Sequence, residues 1–174
     1  MDCPVGMKNP THGSLKIGVN GVIAAQHPHT VAFDGYEVKT HGNPYVHMVL
    51  RGGNSKPNYS LEHIEEVQKY FIAGNVKNPS IIIDVSHDNC LINGKKDYKA
   101  QPDIIFKVLD SLKERPDLKP LVKGFMLESF IKEGNQNAET ASPIDLGGLS
   151  ITDPCLDWDS TEKLLLDLAE RVRS

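Results

Sequence analysis

The sequence predicts an α/β domain built on a parallel sheet, a β/α-barrel arrangement of the TIM type of which only half is present. Three observations carry that prediction. Short apolar runs alternate with amphipathic helical stretches, the pattern of right-handed βαβ crossovers. The run from Ser80 to Val85 shows little polar alternation, as expected of a strand covered on both faces. The 174 residues suit a single domain, residues 1–174, but fall short of the roughly 250 that a closed eight-stranded barrel takes.

The elements follow in order. Pro4 to Lys8 is a short apolar run ending in a lysine and reads as a strand. Ser14 is placed to cap a helix whose apolar face is Leu15, Val19, Val22 and Ile23. Val31, Phe33, Tyr36 and Val38 flank Asp34-Gly35, a hairpin-turn dipeptide, so a β-hairpin is expected as an insertion over about residues 30–44. Val46 to Leu50 is a strand that runs into Arg51-Gly52-Gly53 and a polar loop. Ser60 is expected to cap the next helix, with Leu61, Ile64, Val67 and Phe71 on its apolar face, and Gly74 and Pro79 end it. After the strand from Ser80 to Val85, Asp88 to Lys99 reads as a polar loop. Ile104, Ile105, Val108, Leu109 and Leu112 mark a helix that stops before Pro116. Leu121 to Leu127 is a strand, and Glu133 to Leu149 a loop without periodicity. Asp159 with Glu162 resembles a capping box for the terminal helix, whose apolar side is Leu164, Leu165, Leu168 and Val172. Trp158 is expected to pack against that helix, and Cys155 to be buried.

Composition narrows the function classes. A net charge of −4 argues against a nucleic-acid surface. No run approaches the roughly 20 apolar residues of a membrane span. The start of the chain lacks the basic and apolar regions of a secretory signal. The three cysteines, Cys3, Cys90 and Cys155, are too widely spaced for a CxxC site and read as reduced thiols of a cytoplasmic protein.

Five residues carry the chemistry. His87, Glu128 and Asp153 each follow an apolar run or a loop at what would be the carboxyl edge of the sheet, where parallel α/β enzymes build their sites. One imidazole and two carboxylates suit a divalent first-row metal, Mn, Fe, Co or Zn. Taken singly, a strand-end histidine such as His87 is more often a hydrogen-bonded structural residue, and Glu128 reads as a salt-bridge partner and Asp153 as a turn or cap residue. Asp84 is placed to orient the His87 ring. Lys8 and Arg51 stand at the ends of two further strands. An ammonium and a guanidinium at one edge make a phosphate or carboxylate clamp, unless they are solvated surface charges.

At these residues the sequence resembles a known family. Val5-Gly6-Met7-Lys8-Asn9, Leu50-Arg51-Gly52-Gly53 with Pro57-Asn58-Tyr59-Ser60, Ile83-Asp84-Val85-Ser86-His87, Met126-Leu127-Glu128-Ser129, Glu133-Gly134-Asn135-Gln136 and Ser150-Ile151-Thr152-Asp153-Pro154-Cys155 occur in the order found in type I 3-deoxy-D-arabino-heptulosonate 7-phosphate (DAHP) synthases. The resemblance implies a (β/α)8 barrel. It implies a metal-dependent, aldol-type condensation of phosphoenolpyruvate with erythrose 4-phosphate, the first step of the shikimate pathway to the aromatic amino acids. It makes His87, Glu128 and Asp153 three of four metal ligands, Lys8 and Arg51 the residues that hold phosphoenolpyruvate, and Lys8 and His87 the catalytic pair.

Departures from the family pattern are equally specific. The family's fourth ligand, a cysteine ending the first strand, has no counterpart, and neither has the lysine-proline-arginine-threonine segment that binds the sugar phosphate or the arginine-bearing fourth strand. The chain therefore looks like the second half of the barrel, strands five to eight with the terminal helix. Such a half is expected to form a homo-oligomer or to pair with an N-terminal half. It is expected to be catalytically incomplete alone. Asn9-Pro10-Thr11-His12-Gly13 departs from the commoner Asn-Gly-Thr-Asp-Gly. The hairpin around Asp34-Gly35 corresponds to a region that in many members helps bind an inhibitory aromatic amino acid; its sequence diverges, and no effector is expected.

Overall fold

The computed structural model describes residues 3–173; Met1, Asp2 and Ser174, the ends of the expected 1–174 domain, lie outside them. The strands are β1 (Val5–Lys8), β2 (Thr30–Phe33), β3 (Tyr36–Lys39), β4 (Val46–Leu50), β5 (Ile81–Asp84), β6 (Leu91–Ile92), β7 (Lys95–Lys96) and β8 (Val122–Met126). The α-helices are α1 (Leu15–Gln26), α2 (Leu61–Ala73), α3 (Gln101–Glu114) and α4 (Trp158–Arg173). A four-stranded parallel sheet in the order β1-β4-β5-β8 forms the frame, so strands joined by a helix lie side by side. This is the α/β parallel sheet that the alternation of patterns predicts.

The pleat sorts the strands' side chains into two sets. Met48, Leu50, Ile81 and Ile83 are fully buried and form one core with Leu15, Val19 and Val22 of α1, Ile64, Val67 and Phe71 of α2, and Ile105, Val108 and Leu112 of α3. Burying one such side chain contributes about 1.5–3 kcal/mol, so this face supplies most of the drive to fold. The other set runs across the register as Gly6 beside His47, Lys8 beside Val49, Val49 beside Ile82, and Asp84 beside Met126. A Cβ on Gly6 would come within 2.8 Å of Val49 Cγ2, which shows how closely these side chains crowd. Ile82 on this second face is only partly buried. The expectation of a strand covered on both faces therefore fails at Ile82, because nothing in the described chain closes over that side.

Local signals explain most boundaries. The Ser14 hydroxyl accepts the Ile17 N–H at 3.3 Å and starts α1 as expected. The hairpin of β2 and β3 turns through Asp34 (φ 49°) and Gly35 (φ 79°), a turn that requires two left-handed residues. Phe33 and Tyr36 at its tip are 71% and 73% exposed. Ser60 precedes α2 as expected, but its hydroxyl lies 2.8 Å from His63 Nδ1 and does not cap the backbone. The terminal helix is capped two residues earlier than expected: Asp157, not Asp159, precedes it and accepts the Ser160 N–H at 2.6 Å. Trp158 then falls in the first turn and is 59% exposed, so it does not pack against the helix as expected. The segment 88–99 is more ordered than a polar loop, with a 3-10 turn at His87–Cys90, the β6–β7 hairpin and a second 3-10 turn at Tyr98–Ala100.

Candidate metal centre

His87 is delivered by the end of β5. The strand stops at Asp84, and the chain turns so that His87 takes φ +53°, a left-handed conformation that non-glycine residues rarely adopt. Asn89 holds the turn. Its N–H reaches the Ser86 carbonyl at 3.0 Å, and its side-chain amide donates to the Asp84 carbonyl at 2.7 Å and the Leu50 carbonyl at 3.0 Å. The Cys90 thiol donates to the His87 carbonyl at 3.3 Å. The imidazole is 13% exposed, and its Nδ1 lies 2.9 Å from Asp84 Oδ2. That approach is off the N–H axis, and Nδ1 makes no well-aligned hydrogen bond. Asp84 thus meets the ring through a close electrostatic contact rather than as the aligned hydrogen-bond acceptor expected of it. The arrangement favours the proton on Nδ1 and turns the Nε2 lone pair toward the two carboxylates.

Glu128 follows β8. Its peptide is clamped on both sides by Gln101, whose Oε1 accepts the Glu128 N–H at 2.8 Å and whose Nε2 donates to the Glu128 carbonyl at 3.2 Å. Gln101 is fully buried at the start of α3, and its Nε2 also donates to the Tyr98 carbonyl at 3.0 Å. Asp153 lies on no strand. The motif at 133–136 holds its segment: Gly134 and Cys155 exchange backbone hydrogen bonds, the Gln136 N–H reaches Ser150, and the Asn135 amide caps the Thr152 carbonyl at 2.7 Å. Cys155 is buried, as expected.

His87, Glu128 and Asp153 converge. His87 Nε2 is 4.0 Å from Glu128 Oε1 and 3.7 Å from Asp153 Oδ2, and one donor atom from each of the three lies within 4.8 Å of the others. Nitrogen and oxygen donors sit about 2.0–2.2 Å from such a cation, so donors sharing it stand about 3–4 Å apart. The set fits a divalent first-row ion after closing by up to about an ångström. The second oxygen of Asp153 is engaged separately, by Lys96 Nζ at 2.8 Å. Lys96, foremost, holds the Asp153 carboxyl below the usual carboxylate range, against partial burial.

Lys8 and Arg51 stand at the same sheet edge with different attachments. Lys8 Nζ donates to Asp84 Oδ2 at 2.8 Å, so one buried carboxylate faces both the lysine and His87. Burial pushes the Asp84 carboxyl up, but His87 and Lys8 outweigh it and leave the group below its ordinary value. Among the described residues, no acid pairs with the Arg51 guanidinium. Its backbone, in contrast, is held tightly. The Arg51 N–H donates to Asn9 Oδ1 at 3.0 Å, the Gly52 N–H to Asn58 Oδ1 at 2.7 Å, and Asn9 Nδ2 to the Gly52 carbonyl at 2.7 Å. Asn58 Nδ2 joins Asn9 Oδ1 at 3.1 Å, and the Asn58 N–H joins Asn89 Oδ1 at 2.8 Å. These three asparagines are at most 4% exposed and tie together the loops after β1, β4 and β5.

Sequence reasoning missed this amide lattice, Gln101 and Lys96. The available signal was an asparagine directly beyond a strand end, as at Lys8-Asn9, or between turn residues, as at Pro57-Asn58.

The chain is similar to known proteins. Residues 1–166 match the model of the DAHP synthetase I family. The "Trp-sensitive" phospho-2-dehydro-3-deoxyheptonate aldolase of Enterobacter agglomerans is 37% identical over 99% of this chain and 48% of its own length. The "Tyr-sensitive" enzyme of the same organism is 37% identical over 99% of this chain and 79% of its own. The "Phe-sensitive" enzyme of Escherichia coli is 36% identical over 100% and 48%. The structure of phospho-2-dehydro-3-deoxyheptonate aldolase from Francisella tularensis superposes with a TM-score of 0.82 at 32% identity, covering 97% of this chain and 48% of that one. The chain thus spans about half the length of most of these relatives.

Proposed function

The chain belongs to the DAHP synthetase I family, and on that premise we propose that it carries the metal-binding and phosphoenolpyruvate-binding half of a DAHP synthase site on half of a β/α barrel. The reaction so served is the metal-dependent condensation of phosphoenolpyruvate with erythrose 4-phosphate. The observation that carries the reading is the approach of three donors, from His87, Glu128 and Asp153, beside a lysine that shares the aspartate orienting the histidine.

Each side chain has a part in it. Lys8 and Arg51 neutralise the phosphate and carboxylate of phosphoenolpyruvate and hold its enol carbon in line with the aldehyde carbon, which it attacks. Arg51 is suited to this, with its backbone fixed by asparagines and its fork without an acidic partner among the described residues. Lys8 spends one of its three N–H donors on Asp84 and keeps the others for an anion. His87 offers Nε2, with its other nitrogen against Asp84. His87, Glu128 and Asp153 would hold a divalent cation, which would supply Lewis acidity toward the aldehyde oxygen. Attack by the methylene carbon leaves the neighbouring, phosphate-bearing carbon cationic; water adds there, a proton passes to the former aldehyde oxygen, and the C–O bond to phosphate breaks.

A second reading has support of its own: the chain is a catalytically incomplete half that binds the cation and the anion but needs an N-terminal half to turn over. It rests on the share of the relatives' length that the chain covers and on a donor set of three among the described residues. The two readings separate in one experiment. Purified chain is titrated with Mn(II), then assayed with both substrates alone and with an N-terminal half supplied as a second polypeptide. Binding with turnover only in the mixture supports the incomplete half. Turnover by the chain alone excludes it, and absence of Mn(II) binding in either form removes the metal reading.

A further inference from the structure

The connection from His87 to Gln101 touches all three metal-donor residues. It starts with His87 itself and ends at Gln101, which clamps the Glu128 peptide from both sides. Between them stands the β6–β7 hairpin, turned by Asn93 (φ 51°) and Gly94 (φ 77°), a two-residue turn that fixes the register of its strands. The last residue of that hairpin is Lys96. Its Nζ lies 2.8 Å from Asp153 Oδ1, while Asp153 Oδ2 faces His87 Nε2 at 3.7 Å. The two oxygens of one carboxylate are therefore divided between an ammonium group and the donor cluster.

We propose that Lys96 limits how Asp153 engages a divalent cation: by holding Oδ1, it leaves Oδ2 as the single donor and keeps a coordination position open for a substrate oxygen. The inference rests on the metal reading above. A carboxylate binds a cation through one oxygen or both, and the second mode fills a position that a catalytic metal leaves free for its substrate. An ordinary surface ion pair would contribute almost nothing and could point anywhere. This one stands on a hairpin built from the metal-ligand segment and reaches back into the cluster.

Two effects of removing the ammonium act in the same direction. Oδ1 becomes available as a second donor, and a positive charge 2.8 Å from that oxygen disappears. Even with solvent screening, relief of that repulsion is worth about a tenfold gain in cation affinity. If Lys96 did no more than orient Asp153, its removal would weaken binding, by about 10- to 100-fold, as loss of an outer hydrogen-bond partner does. The sign of the change separates the two roles.

The test is a Mn(II) titration of the whole chain, reading free Mn(II) by electron paramagnetic resonance, for the parent, Lys96→Met and Lys96→Arg. The expected result is that Lys96→Met binds about tenfold more tightly than the parent, whereas Lys96→Arg, which keeps the charge and a donor, stays within about twofold. A parent that binds while Lys96→Met binds equally or more weakly overturns the inference and leaves the metal site standing. Absence of binding by all three proteins overturns the metal reading and this inference with it.

Discussion

Asp84→Asn removes one charge from the hub of the site and keeps its shape. Asp84 Oδ2 lies 2.8 Å from Lys8 Nζ and 2.9 Å from His87 Nδ1, and Oδ1 accepts the Ser86 N–H at 3.0 Å. Unit charges at the lysine distance attract by about 6 kcal/mol at an effective dielectric constant of about 20 and by about 1.5 kcal/mol in bulk water. The Asp84 side chain is 1% exposed, but that of Lys8 is 38% exposed, so the ammonium regains water when its partner is lost. Desolvation of the carboxylate offsets a further part. The expected destabilisation is about 2 kcal/mol near neutral pH, less than the 3–5 kcal/mol typical of breaking a fully buried pair. Its pH dependence follows from the lowered Asp84 pKa. A carboxyl depressed in the folded state contributes its full stability above the unfolded value, about 4, and loses it as pH falls through the folded value. Urea unfolding of parent and variant should therefore give a constant gap from about pH 7 to about pH 5, narrowing progressively below about pH 4. A gap under about 0.5 kcal/mol at neutral pH, or one that does not narrow on acidification, refutes the assignment of Asp84 as a charged hub.

Three further outcomes test the surroundings. Asn58→Ala should cost about 2–4 kcal/mol in chemical unfolding, because it leaves the buried Gly52 N–H without its acceptor and unhooks Asn9; a loss below about 1 kcal/mol would show that the amide lattice is slack. Arg51→Met should leave stability within about 0.5 kcal/mol and weaken phosphoenolpyruvate binding at least about tenfold by calorimetry, since the guanidinium has no acidic partner among the described residues to lose. Gly53→Ala should lower the melting temperature by several degrees, because the new methyl would stand 2.3 Å from the Gly13 Cα, a backbone atom that cannot step aside; an unchanged melting temperature would mean the two loops are not packed as described.

The parts of the molecule legible in the sequence are those whose cause lies within a few residues of the effect. A β-branched run ending in Asp84 and His87 announces both the strand and its cargo, and Asp34-Gly35 between apolar residues announces the hairpin. Ser14 caps α1 because its partner Ile17 is three positions away. At α4 the pattern misled: the capping-box spacing pointed to Asp159, which lies in the first turn of the helix, whereas Asp157 stands before it and accepts the N–H three residues on. The β6–β7 hairpin escaped notice because two-residue strands carry no periodicity, although Asn93-Gly94 was a fair turn signal. The asparagine lattice was illegible for a different reason. Its bonds join residues 42 and 49 positions apart, Arg51 to Asn9 and Asn58 to Asn9, and no single-sequence pattern encodes such pairing.

That same distinction bears on what this chain can do alone. Every constraint found on the donors and the clamp is internal to this chain. Asp84 couples β1 to the His87 turn, the asparagines bind three loops to one another, Gln101 braces Glu128, and Lys96 holds Asp153. None of these contacts would be rebuilt by adding strands beyond the sheet. The unfinished places are elsewhere, at the sheet's edge strands β1 and β8, where Val5 and Met126 are each 37% exposed. Edges of this kind invite pairing with another chain. On the proposed reading, a complementary half therefore contributes by addition, bringing a further donor and the sugar-phosphate grip to a cation and anion site already shaped. Cation binding and turnover are then separable properties of the two halves.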